Sequence, residues 1–255
     1  MRLDVYLITN EFLNTRSQAQ DYIKDGYVLV NGKIISKPSY QVQDGDHVEV
    51  QKKKYDFASR AGLKLFDALV AFDISLQDKV VLDIGASTGG FSDVCLRQGA
   101  KYIYAVDVGH DQLVPHLRND SRVKNLEGVN ARYLDKNMFE EKIDFVCIDV
   151  SFISVNLILP QLLSILETPY QLMVLIKPQF EVGKEYLNKQ GVVRDKRIHK
   201  RLLNDYIAIF KNYRLGIRGI KKASIQGRTG NQEYLVYLDS ELHSKDFDIT
   251  RIISE

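Results

Sequence analysis

Apolar and polar positions repeat with different periods in two regions of the chain. In the first region, two short stretches with helical spacing, 2–8 and 16–25, precede strand-like segments. Two of these segments are joined by Asn31-Gly32, a pair typical of a tight hairpin turn, and the last is 47–50. The pattern predicts a small α+β domain over residues 1–50, with Leu3, Leu7, Ala19, Tyr22 and Ile23 as its buried set.

From residue 61 onward helical and extended patterns alternate. The segments 145–148 and 172–176 are apolar on both faces, as strands covered by helices on two sides must be. The alternation predicts an α/β domain with a doubly wound, mostly parallel sheet over 61–245, after a basic linker at 51–60. Its expected helices are 61–72, 89–98, 153–167 and 195–212, and its expected strands are 80–84, 102–107, 123–127, 145–149, 171–177, 215–224 and 233–238.

Composition and charge narrow the class of protein. The 255 residues are 45% hydrophobic and 27% charged, which argues against a disordered or fibrous chain. No apolar stretch approaches the ~20 residues that cross a bilayer, and the N-terminus lacks a signal-peptide core, so we expect a cytoplasmic protein without membrane insertion. Cys95 and Cys147 lie in apolar patterns without CxxC spacing, which favours buried free thiols over a disulfide or a metal site.

The net charge of +2 hides two basic regions. Residues 51–64 carry five Lys or Arg against one acid, and residues 174–228 carry fourteen against four. Such an excess is typical of a face that binds a polyanion, because each neutralised phosphate releases counterions. A solvated surface is the alternative explanation for any single lysine in these regions.

Candidate ligand-binding residues follow the predicted strands. A turn of small residues, 85–90, follows the strand at 80–84. Polar residues end or follow the next four strands: Asp107, Asn130, Asp149 and Lys177. In an open sheet of this kind ligands bind outside the carboxyl ends of the strands, where the strand order reverses. One aspartate at a strand end is as readily a helix cap, but five such positions predict a shared site.

The turn indicates which ligand this site accepts. The Asp107 carboxylate is suited to accept hydrogen bonds from the two hydroxyl groups of a ribose. Enzymes that bind NAD and enzymes that bind S-adenosylmethionine share this requirement. The sequence 85–90 reads Gly-Ala-Ser-Thr-Gly-Gly and lacks the Gly-x-Gly-x-x-Gly spacing that binds a pyrophosphate. We therefore favour S-adenosylmethionine, which carries no phosphate, over a hydride-transfer cofactor.

The segment after the fourth strand indicates the methyl acceptor. Enzymes that methylate base amines tend to have two prolines where this chain has Val150-Ser151, so methylation of a base amine is disfavoured. Methylation of a cytosine carbon would need a thiolate nucleophile in the pocket, and Cys147 lies deeper in its strand than such a nucleophile would. Methylating a ribose hydroxyl requires a group that removes or screens its proton, such as a lysine whose pKa is lowered by a second lysine and by desolvation. The candidates for this chemistry are Lys64, Asp149, Lys177 and Glu233. A surface salt bridge is the alternative for Lys64 and Glu233.

The N-terminal region resembles a known RNA-binding domain. The segments 2–4, 15–19, 26–33 and 44–46 are similar to the domain first described in ribosomal protein S4. The resemblance implies RNA contacts from Arg2, Arg16, Ser17, Gln20, Lys24 and Lys33. Residues 1–50 carry seven acids and five bases, so an RNA-binding face must be local. The linker is either a spacer or a further RNA-binding segment. In the second case its candidate phosphate contacts are Lys52, Lys53, Lys54 and Arg60.

Nearly the whole chain resembles the TlyA family of hemolysin-named proteins, whose catalytic part is similar to the FtsJ class of ribose methyltransferases. The motifs lie at 59–65, 83–91, 148–154, 176–181 and 230–234. The resemblance implies S-adenosylmethionine-dependent rRNA 2'-O-methylation, on rRNA or ribosomal subunits, with a Lys64-Asp149-Lys177-Glu233 tetrad and no metal. The implied cofactor-lining residues are Gly85, Ser87, Gly89, Phe91, Asp107, Asn130 and Asp149.

Two other functions compete with this interpretation. A membrane-damaging hemolysin is suggested by the family name, but it would require a spanning or amphipathic segment. A non-catalytic RNA-binding assembly factor would retain the cofactor pocket without using it. The presence of all four tetrad residues favours the enzyme.

Overall fold

A computed structural model describes residues 1–13, 15–51, 56–243 and 245–254, and of Ser17 only the backbone. The chain forms two compact units, Met1–Arg60 and Ala61–Glu255. Three of the predicted RNA contacts, Lys52 to Lys54, lie outside the described residues, as does the side chain of Ser17. Within the described ranges, no helix is both long and apolar enough to cross a membrane.

The first unit packs two helices on a three-stranded antiparallel sheet. Its elements are α1 (Leu3–Thr9), α2 (Arg16–Lys24), β1 (Val28–Val30), β2 (Lys33–Ile34) and β3 (Val48–Val50), with strand order β2-β1-β3. Asn31 and Gly32 both have positive φ, as a two-residue hairpin turn requires. The predicted buried set is confirmed, because Leu3, Leu7, Ala19, Tyr22 and Ile23 are all at most 4% exposed.

The second unit is built on a seven-stranded sheet of order β6-β5-β4-β7-β8-β10-β9. The strands β4 to β8 are parallel to one another, and β10 lies antiparallel between β8 and β9. The predicted mostly parallel sheet is therefore confirmed, and its order reverses at β4. The strands are β4 (Val80–Ile84), β5 (Tyr102–Asp107), β6 (Val123–Glu127), β7 (Phe145–Ile148), β8 (Gln171–Ile176), β9 (Gly216–Lys222) and β10 (Tyr234–Asp239).

The helices of this unit are α3 (Ala61–Phe72), α4 (Gly90–Arg97), α5 (Pro115–Arg118), α6 (Leu159–Ile165), α7 (Pro178–Glu181), α8 (Lys196–Asn212) and α9 (Ile249–Ser254). The single helix expected at 153–167 is instead a 3₁₀ turn, Val155–Leu157, followed by α6. Pro160 explains the break, because proline lacks the N–H that a continuous helix would use and is accommodated in a first turn. Helix α9 lies beyond residue 245, the expected end of the domain, and buries Ile249 and Ile253 in the core.

The core of this sheet is apolar on both faces. The side chains of β4 and β7 are buried along their whole length. Cys95 and Cys147 are both buried, with their sulfur atoms 3.9 Å apart, well beyond the ~2.05 Å of a disulfide. The prediction of buried free thiols is confirmed.

One charged residue lies inside this apolar layer. The side chain of Asp83, the next-to-last residue of β4, is fully buried, and Ser92 Oγ donates to its Oδ2 at 2.7 Å. The pKa of Asp83 is raised to about 7, chiefly by burial and also by the negative charges of Asp149 and Asp107, against the lowering effect of the Ser92 hydrogen bond. This carboxyl group is therefore close to half protonated at neutral pH.

We predict that Asp83 makes the second unit less stable as the pH rises. A carboxyl with a raised pKa binds its proton more tightly when folded, so stability falls from about pH 4 to about pH 7. Between pH 5 and pH 8 the loss is about 2–3 kcal/mol. Thermal unfolding of Asp83→Asn should show a flatter pH dependence than the wild type. Asp120→Asn is the control, because the Arg122 hydrogen bond lowers the pKa of Asp120; an equal effect of both substitutions would contradict the prediction.

Candidate active site

The turn after β4 passes against the end of β7. Gly85 has φ +84°, and a Cβ atom there would lie 2.4 Å from the carbonyl oxygen of Asp149. The backbone N–H groups of Gly85 and Ala86 both donate to Val106 O on β5, at 2.8 and 3.1 Å. Only glycine therefore allows this turn to lie so close to the two neighbouring strands.

A cavity of about 460 Å³ opens beside this turn. Its volume is typical of small-molecule sites, which span ~300–1,000 Å³. Its walls combine apolar side chains, such as Val106, Val129 and Ile158, with polar groups at the strand ends. Five of the predicted cofactor-binding residues line it: Gly85, Ser87, Asp107, Asn130 and Asp149.

The carboxylate of Asp107 is held by the backbone. Its Oδ2 accepts from Ser87 N at 2.8 Å and its Oδ1 accepts from Gly109 N at 2.7 Å. Each carboxylate oxygen can accept a second hydrogen bond, so this group is oriented and retains acceptor capacity toward a ligand. Asn130 is also fixed, because its Oδ1 accepts from Arg132 N at 3.0 Å and caps a 3₁₀ turn.

The structure does not bring Gly89 and Phe91 to the cavity wall. Gly89 is the N-cap of α4 with φ +93°, and a Cβ atom there would meet Leu117 Cδ1 at 2.2 Å. Phe91, in the first turn of α4, is 2% exposed and faces the core. Both residues therefore support the turn through packing and do not face the candidate ligand.

The four predicted catalytic residues form two ion pairs. Lys64 Nζ, on α3, lies 2.5 Å from Glu233 Oε2, and the two side chains are only 8% and 3% exposed. The alternative of a surface salt bridge is therefore wrong for this pair. Lys177 Nζ lies 2.6 Å from Asp149 Oδ1 and donates to Ser151 Oγ at 2.9 Å.

Sheet topology places the two pairs at the same end of the sheet. Asp149 and Lys177 directly follow the parallel neighbours β7 and β8. Tyr234 on β10 pairs with Ile176 on β8 in antiparallel register, so Glu233 enters the sheet where Lys177 leaves it. Gln179, two residues after Lys177, places its Nε2 3.5 Å from Glu233 Oε1. Gln179 thus extends from the Lys177 segment toward the second ion pair.

Several residues at this site were not predicted as functional. Besides Ser151 and Gln179, these include Gln112, whose Oε1 accepts from Ser87 Oγ at 2.9 Å. Phe152 lines the cavity with a ring that is 90% exposed and lies 4.9 Å from that of Phe180. Its position three residues after Asp149 was a usable signal, but its φ of +65°, rare for a bulky residue, is visible only in the structure.

Three of the predicted RNA contacts form one cluster in the first unit. Asp4 is fully buried and accepts from Arg2 Nε at 2.9 Å, Arg16 Nε at 3.0 Å and Gln20 Nε2 at 3.0 Å. The Arg2 hydrogen bond is the largest cause of a strongly lowered pKa of Asp4. The side chains of Arg2 and Arg16 stay 43% and 58% exposed, so their other donors face solvent.

The remaining described candidates are placed separately. Lys24 ends α2 and Lys33 begins β2, and both are exposed. Arg60 Nη1 lies 3.8 Å from Asp21 on α2 and 3.9 Å from Asp25, which directly follows that helix, so this side chain faces two acids. An RNA phosphate at Arg60 would therefore compete with two carboxylates.

Family models and relatives match both units. An FtsJ-like methyltransferase model matches residues 57–240, and an S4 domain model matches residues 1–48. The chain is 44% identical to Hemolysin A of Brachyspira hyodysenteriae, over 93% of this chain and 99% of that protein. It is 37% identical to the 16S/23S rRNA (cytidine-2'-O)-methyltransferase TlyA of Mycobacterium tuberculosis, over 100% of this chain and 97% of that protein.

A solved structure of a hemolysin-named protein from Streptococcus thermophilus matches over the whole chain. The TM-score is 0.80 at 41% sequence identity, and the match covers 100% of this chain and 94% of the other. Relatives of this chain thus carry two kinds of name, one for membrane damage and one for rRNA methylation.

We predict that Gly85→Ala weakens binding of S-adenosylmethionine, the cofactor expected from the sequence, by at least about tenfold. The added Cβ must displace the backbone of Asp149, in addition to the ~1–2 kcal/mol cost of a left-handed φ. Gly191→Ala is the matched control, because Gly191 also has a positive φ but a Cβ there meets no atom within 4 Å. Calorimetric titration that gives wild-type affinity for Gly85→Ala would contradict the prediction.

Proposed function

Because this chain belongs to the FtsJ-like methyltransferase family, we propose that it methylates a ribose 2'-hydroxyl of ribosomal RNA with S-adenosylmethionine. The observation that carries the proposal is the Lys177–Asp149 pair at the wall of the 460 Å³ cavity, beside the buried Lys64–Glu233 pair. Hydroxyl methylation requires a cavity for the methyl donor and a nearby group that accepts the hydroxyl proton. The cavity and the two lysines, each positioned by a carboxylate, could provide both. The name of the Mycobacterium tuberculosis relative, an rRNA 2'-O-methyltransferase, supports the same acceptor.

The residues around the cavity fit S-adenosylmethionine. The oriented carboxylate of Asp107 can accept hydrogen bonds from a ribose diol, and Val106 and Val129 offer apolar contact to an adenine. The close turn at Gly85 leaves room for the amino-acid end of the ligand beside Asp149. When bound, S-adenosylmethionine supplies an electrophilic methyl group on a sulfonium centre.

Lys177 is proposed as the group that handles the hydroxyl proton. A ribose hydroxyl is a weak nucleophile, so its oxygen must lose its proton as the new oxygen–carbon bond forms. In its neutral amine form, Lys177 Nζ would accept this proton, and Asp149, at 2.6 Å, would stabilise the resulting ammonium and fix its position. The Lys64–Glu233 pair is proposed to orient the acceptor nucleotide from the neighbouring strand β10.

Phe152 is proposed as a platform for the base of the acceptor nucleotide. Its ring is almost fully exposed at the edge of the cavity, backed by Phe180, and held in a backbone conformation that a bulky residue rarely adopts. Backbone strain of this kind is typical of functional sites. Stacking on an exposed aromatic ring is a common way to bind an unpaired base.

The first unit is proposed to bind structured rRNA. Arg2 and Arg16 present their remaining donors beside one buried carboxylate, Asp4, which fixes both guanidinium groups before RNA arrives. Guanidinium groups fixed in this way suit phosphate recognition, because their donors form a rigid fork. The Lys24 and Lys33 side chains add exposed charge on the same unit.

We predict that Lys177→Ala reduces methyl transfer to rRNA by at least about 100-fold. The loss follows from removal of the proton acceptor, and affinity for S-adenosylmethionine should change by less than about threefold. Transfer of labelled methyl groups to rRNA and to ribosomal subunits measures the rate, and nucleoside mass spectrometry identifies the 2'-O-methyl product. Lys142→Ala is the control, because Lys142 precedes β7 and donates to Thr168 O at the opposite end of that strand.

Two outcomes would count against the proposed function. A wild-type rate in Lys177→Ala would remove the proposed role of the lysine. A wild type that binds S-adenosylmethionine and transfers no label to any rRNA or subunit would behave as a non-catalytic assembly factor does. Liposome leakage by the purified protein, unaffected by Lys177→Ala, would support the membrane-damaging function that some relatives' names suggest.

We predict that Phe152→Ala lowers kcat/KM for rRNA by about 5- to 150-fold, the equivalent of ~1–3 kcal/mol of base stacking. Phe152→Tyr preserves the ring and should stay close to the wild type. Single-turnover methylation with saturating S-adenosylmethionine separates this effect from cofactor binding. A parallel fall in cofactor affinity of the alanine variant would instead assign Phe152 to the cofactor.

A further inference from the structure

A second cavity, of about 560 Å³, lies beside β10 in the same unit. Its wall is formed by two loops, 190–194 and 226–232, together with the beginning of α8 and the end of β9. It does not share a lining residue with the cavity beside Gly85. We call it the basic cavity, because Arg194, Lys196 and Lys222 line it.

The charges of the basic cavity are unbalanced. No Asp or Glu is among its lining residues, and Asp195, between two of the cations, instead accepts from Arg197. Within the described part of the chain, Arg194, Lys196 and Lys222 have neither an ion pair nor a side-chain hydrogen bond. Three other lysines of this unit, Lys101, Lys124 and Lys136, by contrast face Glu141, Glu140 and Glu167.

Buried polar residues hold the walls of the basic cavity in place. Asn231 is fully buried, accepts from Val193 N at 3.0 Å and donates to Gly191 O at 2.9 Å, so it joins the two loops. His199 is also buried and joins Val193 O to the hydroxyl of Tyr234, each at 2.9 Å. A cavity braced in this way needs little further ordering when a ligand binds.

The basic cavity shares a wall with the candidate active site. Gln232 and Tyr234 line the cavity, while Glu233 between them holds Lys64 on the other side of the segment. Gly227, in the same loop, packs against Glu233, and a Cβ atom there would lie 2.5 Å from Glu233 Oε1. An anion in the basic cavity would thus contact the segment that positions Glu233.

We infer that the basic cavity binds a phosphate group of the RNA strand that carries the methylated ribose. This inference rests on the proposed function. One guanidinium and two ammonium groups provide the charge, and the side-chain amide of Gln226 provides a neutral donor. A free phosphorylated small molecule offers the same chemistry. The shared wall with Glu233 favours the RNA backbone, because a phosphate there would place its strand beside the catalytic residues.

The test compares two variants that each lose three positive charges. The cavity variant is Arg194→Gln, Lys196→Gln and Lys222→Gln, and the control variant is Lys101→Gln, Lys124→Gln and Lys136→Gln. Affinity for an rRNA fragment is measured over a range of salt concentrations. The cavity variant should bind RNA at least about tenfold more weakly, and the slope of log K against log salt should fall by about 1 to 2. The control variant should change both quantities much less.

Further measurements separate the possible outcomes. Both variants should keep wild-type thermal unfolding and S-adenosylmethionine affinity, and Arg194→Lys alone should retain most RNA affinity. Equal loss of RNA affinity in both variants would overturn the inference, because overall charge would then explain it. If pyrophosphate stabilises the wild type but not the cavity variant, while RNA affinity is unchanged, the ligand is a small molecule and the RNA assignment is wrong.

The inference and the proposed function can fail separately. The proposed function is tested by measuring methyl transfer to rRNA by the wild type. The phosphate-binding role of the basic cavity is tested by the difference in RNA affinity between the cavity variant and the control variant. A wild type that methylates rRNA, with a cavity variant that binds like the control, would overturn the inference alone.

Discussion

The candidate site depends on the close approach of two backbone segments, the turn at Gly85 and the end of β7 at Asp149. The missing Cβ of Gly85 allows the turn to lie against the Asp149 carbonyl. Because β4 and β7 are adjacent and parallel, the turn that borders the 460 Å³ cavity and the residue that pairs with Lys177 meet at one edge. The proposed donor and acceptor halves of the site are therefore joined through the backbone.

The same edge carries three carboxylates, and the structure accommodates each in a different way. Asp83 is buried in β4, where burial raises its pKa to about 7. Asp107 accepts two backbone N–H groups. Asp149 faces the Lys177 ammonium. Like charges near one cavity repel one another. Backbone donors offset this cost at Asp107 and a lysine offsets it at Asp149, while the raised pKa of Asp83 keeps that carboxyl group partly protonated.

Charge is also organised by buried groups away from the sheet edge. In the first unit, which has more acids than bases over residues 1–50, one buried carboxylate, Asp4, orients Arg2 and Arg16. In the second unit, Asn231 and His199 brace the walls of the basic cavity. In both places, buried polar groups position the surface that carries the cations: Asp4 in the first unit, and Asn231 and His199 in the second. Net charge alone would not reveal either surface.

The sequence determined the strands, their mostly parallel arrangement and the polar residues at their ends. The spacing of apolar residues and the residue types at the end of a strand are local properties, so a sequence shows them directly. These local properties were enough to place Gly85, Asp107, Asp149 and Lys177 at one edge of a sheet. The break at Pro160 and the short helix α9 were missed, since a 3₁₀ turn and a six-residue helix leave a weak periodic signal.

Only the tertiary structure decided which side chains meet. Lys64 and Glu233 are 169 residues apart, and the choice between a buried pair and a surface bridge depended on how α3 packs near β10. Packing also faced Phe91 into the core and left Phe152 exposed with a positive φ. These outcomes follow from contacts between distant segments, whose free energy outweighs local preference, so no pattern within one segment could specify them.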